Sequence, residues 1–192
     1  MKAIFEGGGF IMYILLFASI LALGIVLEKF YYYFKYEKKS KNSLGISKGF
    51  NNSIERLISL LEKENKKSSK TNYLYLEEKA REFTLDTMLK LDNKLWILNL
   101  IANLSTMMGL FGTVTGMISA FNVIAVAGTG DPKLLADGIS KALITTAGGL
   151  SVGMPTMVFA NYFGRKSDEA IEKMEKAAVT YLNKLRSDEH EL

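Results

Sequence analysis

Apolar and polar positions fall along this chain in long blocks, not in short strand-like alternation. Charged residues are absent from Gly7 to Leu27, from Leu95 to Gly130 and from Ala142 to Gly164, and dense nearly everywhere else. Crossing a hydrocarbon core takes roughly 20 mostly apolar residues at ~1.5 Å rise each, and all three runs reach that length. They predict three transmembrane helices. The middle run, if wholly helical, would extend roughly 50 Å against a core of about 30 Å, so part of it belongs outside the lipid. Beyond the runs, SIERLISLLEKEN places Ile54, Leu57, Ile58 and Leu61 at helical spacing, and KENKKSSKTN reads as a loop. From Tyr73 the chain runs to Leu104 with no Gly or Pro and with helix-period apolar residues, which predicts one helix from this stem into the second span. AVAGTGDPK reads as a turn, with Asp131 as N-cap and Pro132 as first helical residue. A last helix should then run from about Lys133, past a kink at Pro155, into a charged tail with Ile171, Met174, Ala178, Tyr181 and Leu185 on one side.

The expected fold class is thus an all-α integral membrane protein whose second and third spans extend into the cytoplasm as a helical bundle. Its expected segments are 1–36, the N-terminal span; 37–94, a cytoplasmic helical segment and stem; 95–130, the second span and outer turn; 131–164, the third span; and 165–192, a cytoplasmic helix and tail. The first run exceeds a signal-peptide h-region and has no small-residue cleavage pattern after it, so it should remain as an anchor.

Charge sets the orientation. Lys and Arg crowd YEKKSKNSLGISKGF and KENKKSSK and follow the third span at Arg165, Lys166, Lys173 and Lys176, while the segments before the first span and between the last two offer only Lys2 and Lys133 near their ends. The positive-inside rule then places the N-terminus outside and the C-terminus in the cytoplasm. The Phe30 to Phe34 aromatic cluster, flanked by Lys29 and Lys35, fits the inner interface. The net charge of +4 is explained by topology, and no nucleic-acid partner is expected. With no cysteine, thiolate metal sites are excluded, and the single histidine, His190, lies in the charged tail. No cofactor and no enzymatic activity is expected: GLFGTVTG lacks a P-loop lysine, and no metal cluster or nucleophile with a base is visible.

The spans themselves carry unusual chemistry. On a helix, Thr106, Gly109, Thr113, Gly116 and Ala120 share one face of the second span, and Ala142, Thr146, Gly149, Gly153 and Ala160 share one face of the third. Small residues let helices approach closely, so Gly109, Gly116, Gly149 and Gly153 read as packing positions. Thr113, Thr145 and Thr146 have two readings: each hydroxyl bonds to a carbonyl one turn back, or it faces a shared cavity that holds water or relays a proton. Proton relays in membranes use Asp, Glu or His, and none lies in any charge-free run. If protons pass here, a second protein must bring the carboxylate.

LSTMMGLFGTVTGMISAF at 104–121 and PKLLADGISKALITTAGGLSVGMPTMVFANYF at 132–163 resemble the signature segments of the MotA/TolQ/ExbB proton-channel family. The ExbB and TolQ branch fits better than the four-span MotA branch. The detailed resemblance covers roughly the C-terminal half; the remainder fits by topology. It implies a homopentamer whose second and third helices line a pore in an inner membrane. A single-span ExbD-like or TolR-like partner would supply an intramembrane Asp, and proton flow would do work on a TonB-like or TolA-like periplasmic protein. By position, Thr113 and Thr146 match the family's pore-facing threonines, with Thr145 beside them, and Pro155 and Asn161 match its third-helix pattern. One departure stands out: Lys141 occupies a place where the family commonly has Glu. It is either an interfacial lysine or an alteration of ion entry or partner contact. A non-conducting helical scaffold is the alternative of a different class.

Overall fold

In a computed structural model of the protein, the described residues are 2–38, 51–67, 72–127 and 132–190. All of them are helical except Asn72, Asn93 and Lys94. The helices are α1 (Lys2–Lys38), α2 (Asn51–Lys67), α3 (Tyr73–Asp92), α4 (Leu95–Ala127) and α5 (Pro132–His190). Three helical stretches are long and apolar enough to cross a membrane, within α1, within α3–α4 and within α5. This is an all-α membrane protein. The proposed Asp131 cap and most of the AVAGTGDPK turn lie outside the described residues.

Local chemistry explains two of these features. In α1 the helical path is interrupted at Gly9, whose φ of 58° and ψ of −152° suit a residue without Cβ. Asn72 caps α3, its side-chain oxygen accepting from the Tyr75 N–H at 3.1 Å. Two expectations need correction. The KENKK part of the expected KENKKSSKTN loop is the last turn of α2, which continues to Lys67, because Lys and Glu are good helix formers that need no buried partner, while residues 68–71 of that stretch lie outside the described residues.

The second correction concerns the stem. It does not enter the second span as one helix: α3 ends at Asp92 and α4 begins at Leu95. Between them Asn93 leaves the helical region with φ −49° and ψ 130°, and Lys94 has φ 67°, the one positive φ at a non-glycine among the described residues. That conformation costs a residue with a Cβ about 1 kcal/mol or more. No Gly or Pro demands it. Instead, contacts from α1 accompany it: the Lys94 ammonium meets both Glu28 carboxylate oxygens at 2.6 and 2.7 Å. Lys29, 5% exposed, donates to the Leu91 carbonyl in the last turn of α3 at 2.6 Å. A cation suits that helix end, where carbonyls lack intrahelical partners.

The chain divides into two compact units, one of residues 1–28 and 94–161, the other of residues 29–93 and 162–192. The second is a helical bundle with a leucine core. Ile54, Leu57 and Leu61 of α2, Leu76 and Ala80 of α3, and Met174 and Ala178 of α5 form one buried cluster. Here the apolar stripe at helical spacing in α2 meets its partners. Tyr73 fixes the far end of α5, its hydroxyl donating to the Leu185 carbonyl at 3.3 Å while the Arg186 guanidinium lies over its ring. Of the aromatic cluster, Phe30 and Tyr31 stay exposed, whereas Tyr33 stacks on Phe163 at 5.4 Å and donates to its carbonyl.

Candidate functional site

The first unit contains α4 and the first half of α5, which run antiparallel and meet along small residues. Gly153 lies against Ala102 and Thr106, Gly149 against Ser105 and Gly109, Gly112 against the Thr145 side chain, Gly116 against Ala142, and Gly138 against Ala120. The approach is close enough to exclude side chains. A Cβ on Gly149 would sit 2.5 Å from the Ser105 carbonyl oxygen and 2.7 Å from the Gly109 Cα. One on Gly109 would sit 3.1 Å from the Gly149 Cα and 3.2 Å from the carbonyl oxygens of Thr145 and Thr146. These are backbone-to-backbone contacts, and neither helix can yield a few tenths of an ångström without separating from the other. Gly148 sits on another face of α5, against Met12 and Leu15 of α1.

The hydroxyls lie on or beside this seam. Thr145 is buried and donates to the Ala142 carbonyl one turn back at 2.7 Å. Thr113 is half-buried and donates to the Leu110 carbonyl at 2.6 Å. Thr146 behaves differently. Its hydroxyl crosses to α4 and donates to the Gly109 carbonyl at 2.9 Å, a bond that the glycine approach makes possible. Thr113 stands one helical turn along α4 from that acceptor and on the same face. Ser105, 2% exposed, is the described buried side chain whose polar atom has no hydrogen-bond partner.

Gly109, Thr145, Thr146 and Gly149 thus come together in one place, with Thr113 a turn away. Gly116 and Gly153 belong to the same seam further along. Lys141 lies elsewhere on α5, ion-paired at 2.6 Å with Asp137 one turn before it, both side chains about half exposed. Pro155 is exposed and α5 passes through it as helix, although its missing N–H removes one ladder bond there. The neighbouring Thr156 hydroxyl donates to the Val152 carbonyl at 2.7 Å. Gly112, Gly138 and Ser105 also belong to the seam and stand outside the stripes expected from the sequence. Gly112 was accessible, since it is three residues from Gly109 and four from Gly116.

Chemically, this is a neutral site of acceptors. Each threonine proton is directed to a backbone carbonyl, which leaves the hydroxyl oxygens with lone pairs for an incoming donor. The other faces of both helices are apolar and exposed, with Leu110, Phe111, Val114 and Ile118 on α4 and Leu143, Met154 and Val158 on α5.

A close glycine seam bearing hydroxyls thus joins two helices of a helical membrane protein along their charge-free runs. The sequence profile of the MotA/TolQ/ExbB proton channel family matches residues 45–176, and the chain belongs to that family. It is similar to the putative biopolymer transport protein ExbB homolog of Methanothermobacter thermautotrophicus, with 28% identity over 89% of this chain and 65% of that protein. It is also similar to biopolymer transport protein exbB1 of Vibrio cholerae, with 33% identity over 57% of this chain and 45% of that one. The Tol-Pal system protein TolQ of Pseudomonas aeruginosa is 35% identical over 43% of the chain and 36% of its own length. The chain therefore spans about half to two thirds of the length of the two ExbB relatives it matches.

Proposed function

We propose that the chain is the channel-forming subunit of a proton-driven inner-membrane motor, with its N-terminus periplasmic and its C-terminus cytoplasmic. In this reading five copies surround the spanning helix of an ExbD-like or TolR-like partner, whose intramembrane Asp is the protonatable group. Work is delivered to a TonB-like protein for transport across the outer membrane. The observation that carries the reading is the pairing of hydroxyl acceptors at Thr113 and Thr146 with the absence of any acid from the three charge-free runs. A protonated carboxyl donates to such oxygens, whereas a fixed charge beside it would bias its protonation by several kcal/mol. Neutral surroundings let the acid alternate. Gly109, Gly116, Gly149 and Gly153 hold the two helices together as one wall, and Lys141 with Asp137 stands at the outer end of the third span.

The test is reconstitution in proteoliposomes under a pH gradient. The chain alone should conduct no protons, the chain with its single-span partner should, and Asp→Asn in the partner's span should abolish the flux. Flux from the chain alone would contradict the reading. Native mass spectrometry should show five copies retaining the partner.

Two further readings have support in particular observations. Similarity to a Tol-Pal system protein favours an envelope-maintenance role acting on a TolA-like protein. The backbone bonds of all three threonine hydroxyls favour a non-conducting scaffold, which would tolerate Thr→Val at 113 and 146 but not bulk at Gly116 or Gly149.

A further inference from the structure

Ser105 sits at the middle of the buried face of α4, among Ile101, Ala102 and Gly109, and is 2% exposed. Its hydroxyl is used differently from others in the spans. Thr106, Thr145, Ser151 and Thr156 each donate to a carbonyl three or four residues back in their own helix. The Ser105 Oγ makes no such bond and has no hydrogen-bond partner among the described residues, so it is not turned toward its own backbone. A hydroxyl buried in apolar surroundings is costly unless something bonds to it.

α1 passes this level within the same unit. Its buried stripe of Leu15, Ala22 and Val26 includes Ser19 by spacing, and Ser19 is half-buried. Two contacts set the register of α1 against α4. Glu28 meets Lys94 at the start of α4, while Met12 and Leu15 meet Gly148, whose neighbour Gly149 lies on Ser105 and Gly109. The two helices are therefore antiparallel. From the ion pair, Ser19 stands ~14 Å along α1 and Ser105 ~17 Å along α4. Side chains lean toward the N-terminus of their own helix, so Ser19 leans away from the ion pair and Ser105 leans toward it. That lean closes the difference in height.

We propose that the hydroxyls of Ser105 and Ser19 hold one buried water between α1 and α4. The ligand is water because, at 2% exposure, the Ser105 side chain lies beyond the reach of a headgroup or of a side chain from another protein. A buried water takes about three hydrogen bonds. The two hydroxyls supply two, and the second lone pair of the Ile101 carbonyl, one turn before Ser105, supplies the third. The water is a polar tie between α1 and the α4–α5 pair. It stands one turn of α4 from Gly109 and does not depend on protons passing the seam.

Solid-state NMR of the full chain in lipid bilayers tests this through magnetisation transfer from water to protein. In the unaltered chain Ser105 and Ser19 should both show water cross-peaks, with Thr156, buried and bonded to Val152, as the dry reference. Ser105→Ala removes one anchor, so the Ser19 cross-peak should fall by about threefold or more, and Ser19→Ala should do the same to the Ser105 cross-peak. Absence of a water cross-peak at Ser105 in the unaltered chain would overturn the proposal without any variant, because the hydroxyl would then bond to its own helix. A Ser19 cross-peak within about twofold of its unaltered strength in Ser105→Ala would also overturn it, because Ser19 would then be wetted from elsewhere.

Discussion

The leucine core of the bundle unit and the glycine seam of the spanning unit solve the same problem, helix against helix, with opposite materials. In the bundle, Leu57, Leu61 and Met174 are entirely buried and Leu76 nearly so. In the seam the contacts are Gly109 on Gly149, Gly116 on Ala142 and Gly138 on Ala120. The difference follows from the surroundings. In water, burying a large apolar side chain stabilises by roughly 1.5–3 kcal/mol, so large residues go inside. In lipid that drive vanishes, because the tails are as apolar as leucine. What remains is close packing and hydrogen bonding, which small residues and hydroxyls serve best. Accordingly Leu110, Val114 and Leu143 face outward and the glycines face inward.

This contrast can be broken at several points. The largest stability effect should come from Leu57→Ala, which empties a fully buried site in the bundle and costs about 2–5 kcal/mol. It should appear as a lower urea midpoint for the bundle signal, while Leu110→Ala on the exposed face of α4 leaves stability nearly unchanged. Gly149→Val comes next. Its side chain has no room between the Ser105 carbonyl and the Gly109 Cα, so the seam must open at a cost of about 1–3 kcal/mol. Cysteine cross-linking between positions 116 and 142 should report the separation, and full-yield cross-linking would show that the seam adapts. Thr146→Val removes the one described hydroxyl bond joining α4 to α5, with an expected cost of only about 0.6 kcal/mol.

The smallest effect is one of acid stability in the bundle unit. Hydrogen bonds from Lys173 and Lys166 hold the Glu169 carboxyl below its ordinary value of 4.5. A lowered carboxyl pKa stabilises the fold above that ordinary value and loses its contribution as pH falls through the folded-state value. Because the side chains are partly exposed, the effect is roughly 0.3 kcal/mol or less. Glu169→Gln should therefore match the unaltered chain in acid below both values and fall slightly behind it at neutral pH in thermal melts. Equal melting of the two at neutral pH would show that the pair is fully screened.

Much of this architecture was legible in the residues. Three charge-free runs predict three spans, and the α2 stripe of Ile54, Leu57 and Leu61 is the stripe that enters the bundle core. The stem break was not read from the residues because no Gly or Pro marks it; the weak helix formers Asp92 and Asn93 stand there, and Lys94 beside them pairs with Glu28, a contact that the sequence does not display. The Thr146 bond was hidden for a similar reason. Thr113 and Thr145 bond to carbonyls three residues back, which their own helix supplies, whereas the Thr146 acceptor exists only once Gly109 and Gly149 are in contact. Lys141 was visible as a departure from the family pattern, but its pairing with Asp137 depends on the helical turn that brings them together.

We propose that the seam carries the neutral half of a proton site. Its most direct test is proton flux through the partner-containing complex in proteoliposomes, comparing the unaltered chain with Thr113→Val and Thr146→Val, each confirmed to assemble. Flux should fall by about tenfold or more in Thr146→Val and in Thr113→Val, while the number of subunits per complex stays the same. Undiminished flux in both variants, with assembly intact, would contradict it and leave the threonines as packing residues.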